Sequence, residues 1–172
     1  MVNLAGRAGE FVIGVHREGS YPWGTQSERA VAMTDMVPVR ITGVVRSPDE
    51  SSSRGERFFI ELAEVGGARR LSIGVGDAEA AALSFSLQGV AFPRPMTYQF
   101  AAALLGAAGS GVREVRVTGF TDGIFYAQVV LVSGAVVDAR PSDAVNLAAV
   151  TGAPVFVAPE LLDLRTGPRQ PA

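Results

Sequence analysis

The sequence predicts a single α+β domain, built on a mixed, largely antiparallel sheet with three helices. Three observations carry this reading. Several short runs alternate apolar and polar residues, the period of half-buried strands. Two pairs of runs are separated by hairpin signals, Gly66-Gly67 and Asp122-Gly123, which join strands antiparallel. The helical stretches fall among the strands without strict β-α-β alternation, so a purely parallel sheet is not expected.

The elements follow in order. Residues 1–35 are rich in glycine and turn formers ("EGSYPWGTQSER") and hold no period, so they are expected as a poorly ordered extension. A start of translation at Met33 or Met36 is a second reading of that stretch, and His16 and Trp23 are given no ligand role. "VPVRITGVV" (37–45) alternates as a strand. "SPDESSSRGE" (47–56) is a polar loop, and "RFFIELAEV" (57–65) and "RRLSIGV" (69–75) form a hairpin. "GDAEAAALSFSLQG" (76–89) reads as a helix, with Asp77 and Glu79 complementing its N-terminal dipole and Gly89 stopping it. "VAFPRPMT" (90–97) is kept from helix by two prolines, after which Thr97 is expected to cap a helix over 98–108.

"VREVRVTGF" (112–120) and "IFYAQVVLV" (124–132) are strands; the second is nearly all apolar, so it is expected to be central and covered on both faces, with one of Phe125 and Tyr126 in the core. "AVVDA" (135–139) is a further strand, and a helix over 142–151 follows, burying Ala144, Leu147, Ala148 and Val150 and stopped by Gly152. "PVFVA" (154–158) is the last strand, Pro159 opens a terminal turn, and 165–172 is a tail.

Composition removes whole classes of chemistry. With no cysteine there is no disulfide, thiol nucleophile or cysteine zinc site, and zinc is not expected. The one histidine is His16, and all 15 basic residues are arginine. The missing lysine rules out Schiff bases and a Walker-type phosphate loop, and no nucleotide cofactor is expected. No G-x-S-x-G elbow occurs. A net charge of −2 and a pI of about 5.4 provide no general attraction to nucleic acid. No apolar run reaches the ~18 residues of a spanning helix, and charged residues hem in the short "FVIGV" near the start. No membrane association and a cytoplasmic location are expected.

The densest chemistry lies in "DARPSD" (138–143). Asp138 and Asp143 can hold Mg²⁺ or Mn²⁺ through oxygen ligands, with Arg140 and the helix amides facing a phosphodiester. The same residues also make a sound helix start: Pro141 in the first turn, Ser142 as cap, Asp143 on the dipole, and Arg140 paired with Asp138 or Asp143. Both readings stay open from the residues alone. Arg94, rigid between two prolines, suits a phosphate, or a salt bridge to Asp77 or Glu79. Tyr98 can stack on a base or cover the sheet, and Asp122 is turn chemistry.

Taken together, "LSIGVGDAEAAAL", "FPRPMTY", "DGIFYA", "DARPSDA" and "GAPVFV" resemble, in order and spacing, the bifunctional nuclease (BFN) family over residues 36–164. The resemblance implies one compact α+β BFN-like domain, often oligomeric, in a family whose plant members are assigned DNase and RNase activity. It implies metal-dependent hydrolysis of phosphodiester bonds in single-stranded DNA or RNA. On that reading Asp138, Asp143 and Arg140 are catalytic, and Arg94, Arg140, Ser142 and Tyr98 bind substrate. Asp138, Asp143 and Asp77 would then hold Mg²⁺ or Mn²⁺. Where the family commonly has a histidine and an aspartate after P-R-P-x-T, this chain has Tyr98 and Gln99. Asp77 stands where the family often has glutamate. The alternative is a catalytically impaired BFN fold kept for oligomerisation or ligand binding. An exposed edge at 37–45 would favour a two-fold dimer.

Overall fold

The computed structural model describes residues 36–48 and 55–164; the expectations placed on 1–35, on most of the polar loop and on 165–172 lie outside the described residues. The elements are β1 (Val37–Pro48), β2 (Glu56–Glu64), β3 (Arg70–Val75), α1 (Asp77–Leu87), α2 (Thr97–Ala107), β4 (Val112–Thr121), β5 (Ile124–Leu131), β6 (Val136–Ala139), α3 (Pro141–Thr151) and β7 (Val155–Val157), followed by a 3-10 turn over Pro159–Asp163. The strands form one seven-stranded sheet in the order β3-β2-β1-β7-β4-β5-β6. Every neighbouring pair is antiparallel except β4 with β7. This is the mixed α+β sheet that the sequence predicts.

The β4–β5 turn shows how local residues fix register. Asp122 and Gly123 both adopt positive φ, 52° and 81°. That backbone matches the right-handed twist of a hairpin and suits this dipeptide. Gly152 closes α3 in the left-handed region at φ 71°, with its N–H donated to the Ala148 carbonyl.

Two placements differ from the sequence expectation. β1 is not an edge, because β2 flanks it on one side and the three-residue β7 on the other. The edges are β3, against which the 3-10 turn packs, and β6. β6 has only four residues and exposes Asp138, both of which discourage pairing with another strand. β5 is next to that edge rather than central. Its apolar run serves two environments: Ala127, Val129 and Val130 are buried, whereas Ile124 and Tyr126 stand exposed at the hairpin end. Phe125 packs against the core and against Phe120.

The path of α3 follows from the sheet order. β6 and β7 run in the same direction with β5 and β4 between them, so the chain must cross the sheet to join them, and α3 is that crossover. It lies over β4 and β5, with α1 and α2 against it. A helix enclosed on several sides buries more than one stripe. Pro141, Ser142, Ala144, Val145, Asn146 and Ala148 are buried, while Leu147 and Val150 are only half-buried. The core joins Val115, Val117 and Val129 of the sheet to Val145 of α3 and Leu83 of α1. Each such aliphatic contributes roughly 1.5–3 kcal/mol on full burial.

Candidate functional site

Pro141 is the first residue of α3, and it forces the residue before it into extended backbone. Arg140 therefore takes the N-cap position (φ −64°, ψ 143°). Its guanidinium folds back on the first turn: Nε donates to Asp143 Oδ2 at 2.7 Å and Nη2 donates to Asp143 Oδ1 at 3.0 Å. Such a two-point fit uses the planar fork that only arginine offers. The same Nη2 also donates to Glu79 Oε1 on α1, at 3.0 Å. From α2, Tyr98 donates its hydroxyl to Asp143 Oδ1 at 2.8 Å.

Glu79, Tyr98 and Asp143 all sit in the first turns of their helices, so the N-termini of α1, α2 and α3 converge on Arg140. At the starts of α1 and α3 no cap side chain accepts from the first-turn amides. Beneath the cluster, Asn146 is fully buried and donates Nδ2 to the Glu79 carbonyl (3.1 Å) and the Ser142 carbonyl (2.9 Å), tying α1 to α3.

The electrostatics are set by this wiring. Burial pushes the Asp143 carboxyl up, but the Arg140 and Tyr98 hydrogen bonds and the Arg140 charge outweigh it and hold the group below the usual carboxylate range. Tyr98 is raised well above an ordinary phenol, by burial first and then by its bond to Asp143, and so stays a donor. Arg140 is raised above its already high value, chiefly by the Asp143 hydrogen bond. Two carboxylates and one guanidinium leave the cluster one negative charge in excess. The Nη1 edge of Arg140 has no partner among the described residues, and the side chain is 67% exposed.

The other candidates fall as follows. Ser142 does not cap; because α3 begins at Pro141, Ser142 is its second residue and is buried. Thr97 does not cap α2 either. Met96 holds that position, and its N–H donates to Gln99 Oε1 at 2.8 Å, so Gln99 secures the helix start. Asp138 is exposed on β6 opposite Gln128, and Asp77 is the exposed first residue of α1. Arg94 is exposed in the α1–α2 connection, and Glu79, one partner considered for it, is held by Arg140 instead. Arg140 pairs with Asp143, one of the two acids open to it.

Among the described residues, no three of His, Cys, Asp and Glu gather so as to hold a metal ion. Asp143 already accepts two hydrogen bonds on Oδ1 and one on Oδ2, and the cation between it and Glu79 is Arg140. In this arrangement Asp138, Asp143 and Asp77 do not fit a shared Mg²⁺ or Mn²⁺, which wants an octahedral oxygen shell.

Asn146 was not singled out from the sequence; Glu79 was read there only as a first-turn acid or a partner for Arg94, and Gln99 only as a departure from the family pattern. The one signal Asn146 carried was a polar residue on an otherwise apolar helix face.

The cluster thus lies at the helix starts of a seven-stranded mixed sheet crossed by α3. The profile of the bifunctional nuclease domain matches residues 60–168, more than half of the chain and all of the cluster. The chain belongs to the bifunctional nuclease domain family. It is similar to proteins from two strains of Mycobacterium tuberculosis, both described as uncharacterised, at 37% identity over 123 residues, 71% of each chain. Among the described residues no helix is long and apolar enough to cross a membrane.

Proposed function

We propose that this family member binds single-stranded DNA or RNA by its phosphates at the converging helix starts, in a form poised for binding rather than for cutting. The observation that carries the reading is the convergence of three helix N-termini on an arginine whose Nη1 edge points away from its two carboxylates. Helix starts attract anions through their amides and dipoles, and a guanidinium edge adds charge-assisted donors. Arg94, exposed on the α1–α2 connection, offers a second guanidinium for a phosphate. Asp143 lacks the freedom of a metal ligand or base, because Arg140 and Tyr98 occupy it.

The local excess of negative charge makes the binding weak, and its reliance on arginine–phosphate contacts makes it sensitive to salt. Anisotropy of labelled single-stranded oligonucleotides, measured in EDTA at low salt, tests this. Binding that weakens in Arg140→Gln and Arg94→Gln is expected, and no binding by the wild type would remove the reading.

That same excess charge favours one second reading, the metal-dependent nuclease. On that reading Asp138, Asp143 and Asp77 would hold a divalent cation only in a rearranged site in which Arg140 had left Asp143, and the metal would supply charge stabilisation and an activated water. Cleavage assays in Mg²⁺, Mn²⁺ and EDTA separate the two. Cutting that EDTA and the Asp138→Ala/Asp143→Ala double variant both abolish would favour hydrolysis. Cutting gained only in Tyr98→His/Gln99→Asp would assign the impairment to those two positions.

A further inference from the structure

α2 differs from its neighbours: it is strongly apolar, yet none of its residues is fully buried. Its inner side, with Tyr98, Ala101, Ala102 and Leu105 half-buried, rests on α3. Its outer side presents Phe100, Ala103, Leu104 and Ala107 to solvent, at the i, i+3, i+4, i+7 spacing of a helix-packing seam. Phe100 is 55% and Leu104 54% exposed, and the stripe continues into Met96 (45%) and Phe85 (40%), which share a groove with Phe92.

We propose that this outer face of α2 is a self-association surface, on which a second copy of the chain docks its own α2 antiparallel about a two-fold axis. The order of large and small residues picks out this occupant. An axis passing between Ala103 and Leu104 sets Phe100 of each copy over Ala107 of the other, and Leu104 over Ala103. Every large side chain then meets a small one, and exposed Gly106 beside them allows close approach. The charge pattern agrees. Between Glu79 and Arg113 the only charged residue is Arg94, so the face can lie against itself without like-charge opposition. A membrane-surface helix would carry a cationic flank, which a lone arginine does not provide.

The area is also of the right order. Phe85, Met96, Phe100 and Leu104 together expose on the order of 400 Å² per copy, about half of a standard interface side, as its apolar centre. The earlier ground for a dimer, an open edge at β1, is gone, since β1 is interior. The seam on α2 is an independent one.

The test uses the full chain. Light scattering and sedimentation should give a dimer mass at high micromolar concentration. Leu104→Asp should raise the dimer dissociation constant at least ~100-fold, with its circular dichroism unchanged because the side chain already faces solvent. Ile124→Asp, equally exposed at the β4–β5 hairpin, should leave the dimer intact. The chain has no cysteine, so Ala103→Cys introduces a single thiol, which a short bis-maleimide should join into a covalent dimer. Val65→Cys, exposed beyond β2, should not be joined. A monomeric wild type would overturn the proposal. So would a dimer untouched by Leu104→Asp, or cross-linking that favours Val65→Cys over Ala103→Cys.

Discussion

Asp143 is the residue on which the site turns, and its surroundings give its protonation a definite effect on stability. Its folded carboxyl lies below the usual range, so the folded state favours the ionised form. The resulting stabilisation is fully present above about pH 4, where the unfolded chain has also ionised, and is lost as the pH falls through the lower folded value. Asp143→Asn removes the charge but keeps an acceptor. Both partners are partly exposed, so the cost at neutral pH should be about 1 kcal/mol. Chemical denaturation should show that gap closing as the wild type is acidified below about pH 4; a gap that widens in acid would reverse the assignment. The pairing of Arg140 with Asp143 was legible in "DARPSD" as one of two choices, because residues three apart at a helix start are neighbours by geometry. The bonds from Tyr98 and Glu79 were not, since they span 45 and 61 residues and form only when the three helices pack together.

At the scale of elements, α3 organises the molecule, and Asn146 is the buried group that fixes α1 against it. Its hydrogen bond to the Glu79 carbonyl crosses from α3 to α1, while its second, to the Ser142 carbonyl one turn back on α3, holds the amide in place. Asn146→Ala should lose those bonds and leave a cavity, costing about 2–3 kcal/mol, read as a lower urea midpoint with unchanged slope. Leu147→Ala, at a half-buried position beside it, should cost less. An Asn146→Ala variant as stable as wild type would mean that α1 and α3 are held by apolar contact alone. Element identity was largely legible here, because periods of 2 and 3.6 and the Asp122-Gly123 turn are local signals. Strand order was not. β7 is three residues long and slots between β1 and β4, and so short a strand carries little pattern of its own to show which partners it joins. Likewise the apolar run of β5 could not reveal that only half of it is covered.

For the whole molecule, the sheet order brings the start of α3 to the exposed short strand β6 at one end, while α1 and α2 place Glu79 and Tyr98 against it. The cluster is therefore assembled by the complete fold, and a ligand held there must register in global stability. A divalent ion bound only by the folded protein at ten times its dissociation constant would add about 1.4 kcal/mol, or roughly 3–6 °C in melting temperature. The decisive measurement is the melting temperature of the wild type, Asp138→Asn and Asp143→Asn in Mg²⁺, in Mn²⁺ and in EDTA. With Arg140 as the resident cation of the site, the wild type should melt within about 1 °C in all three conditions. Asp143→Asn should then be lower by the same amount in each, and Asp138→Asn should match the wild type. A rise of several degrees in the wild type with metal, absent from both asparagine variants, would contradict the account and place a metal ion where Arg140 now lies.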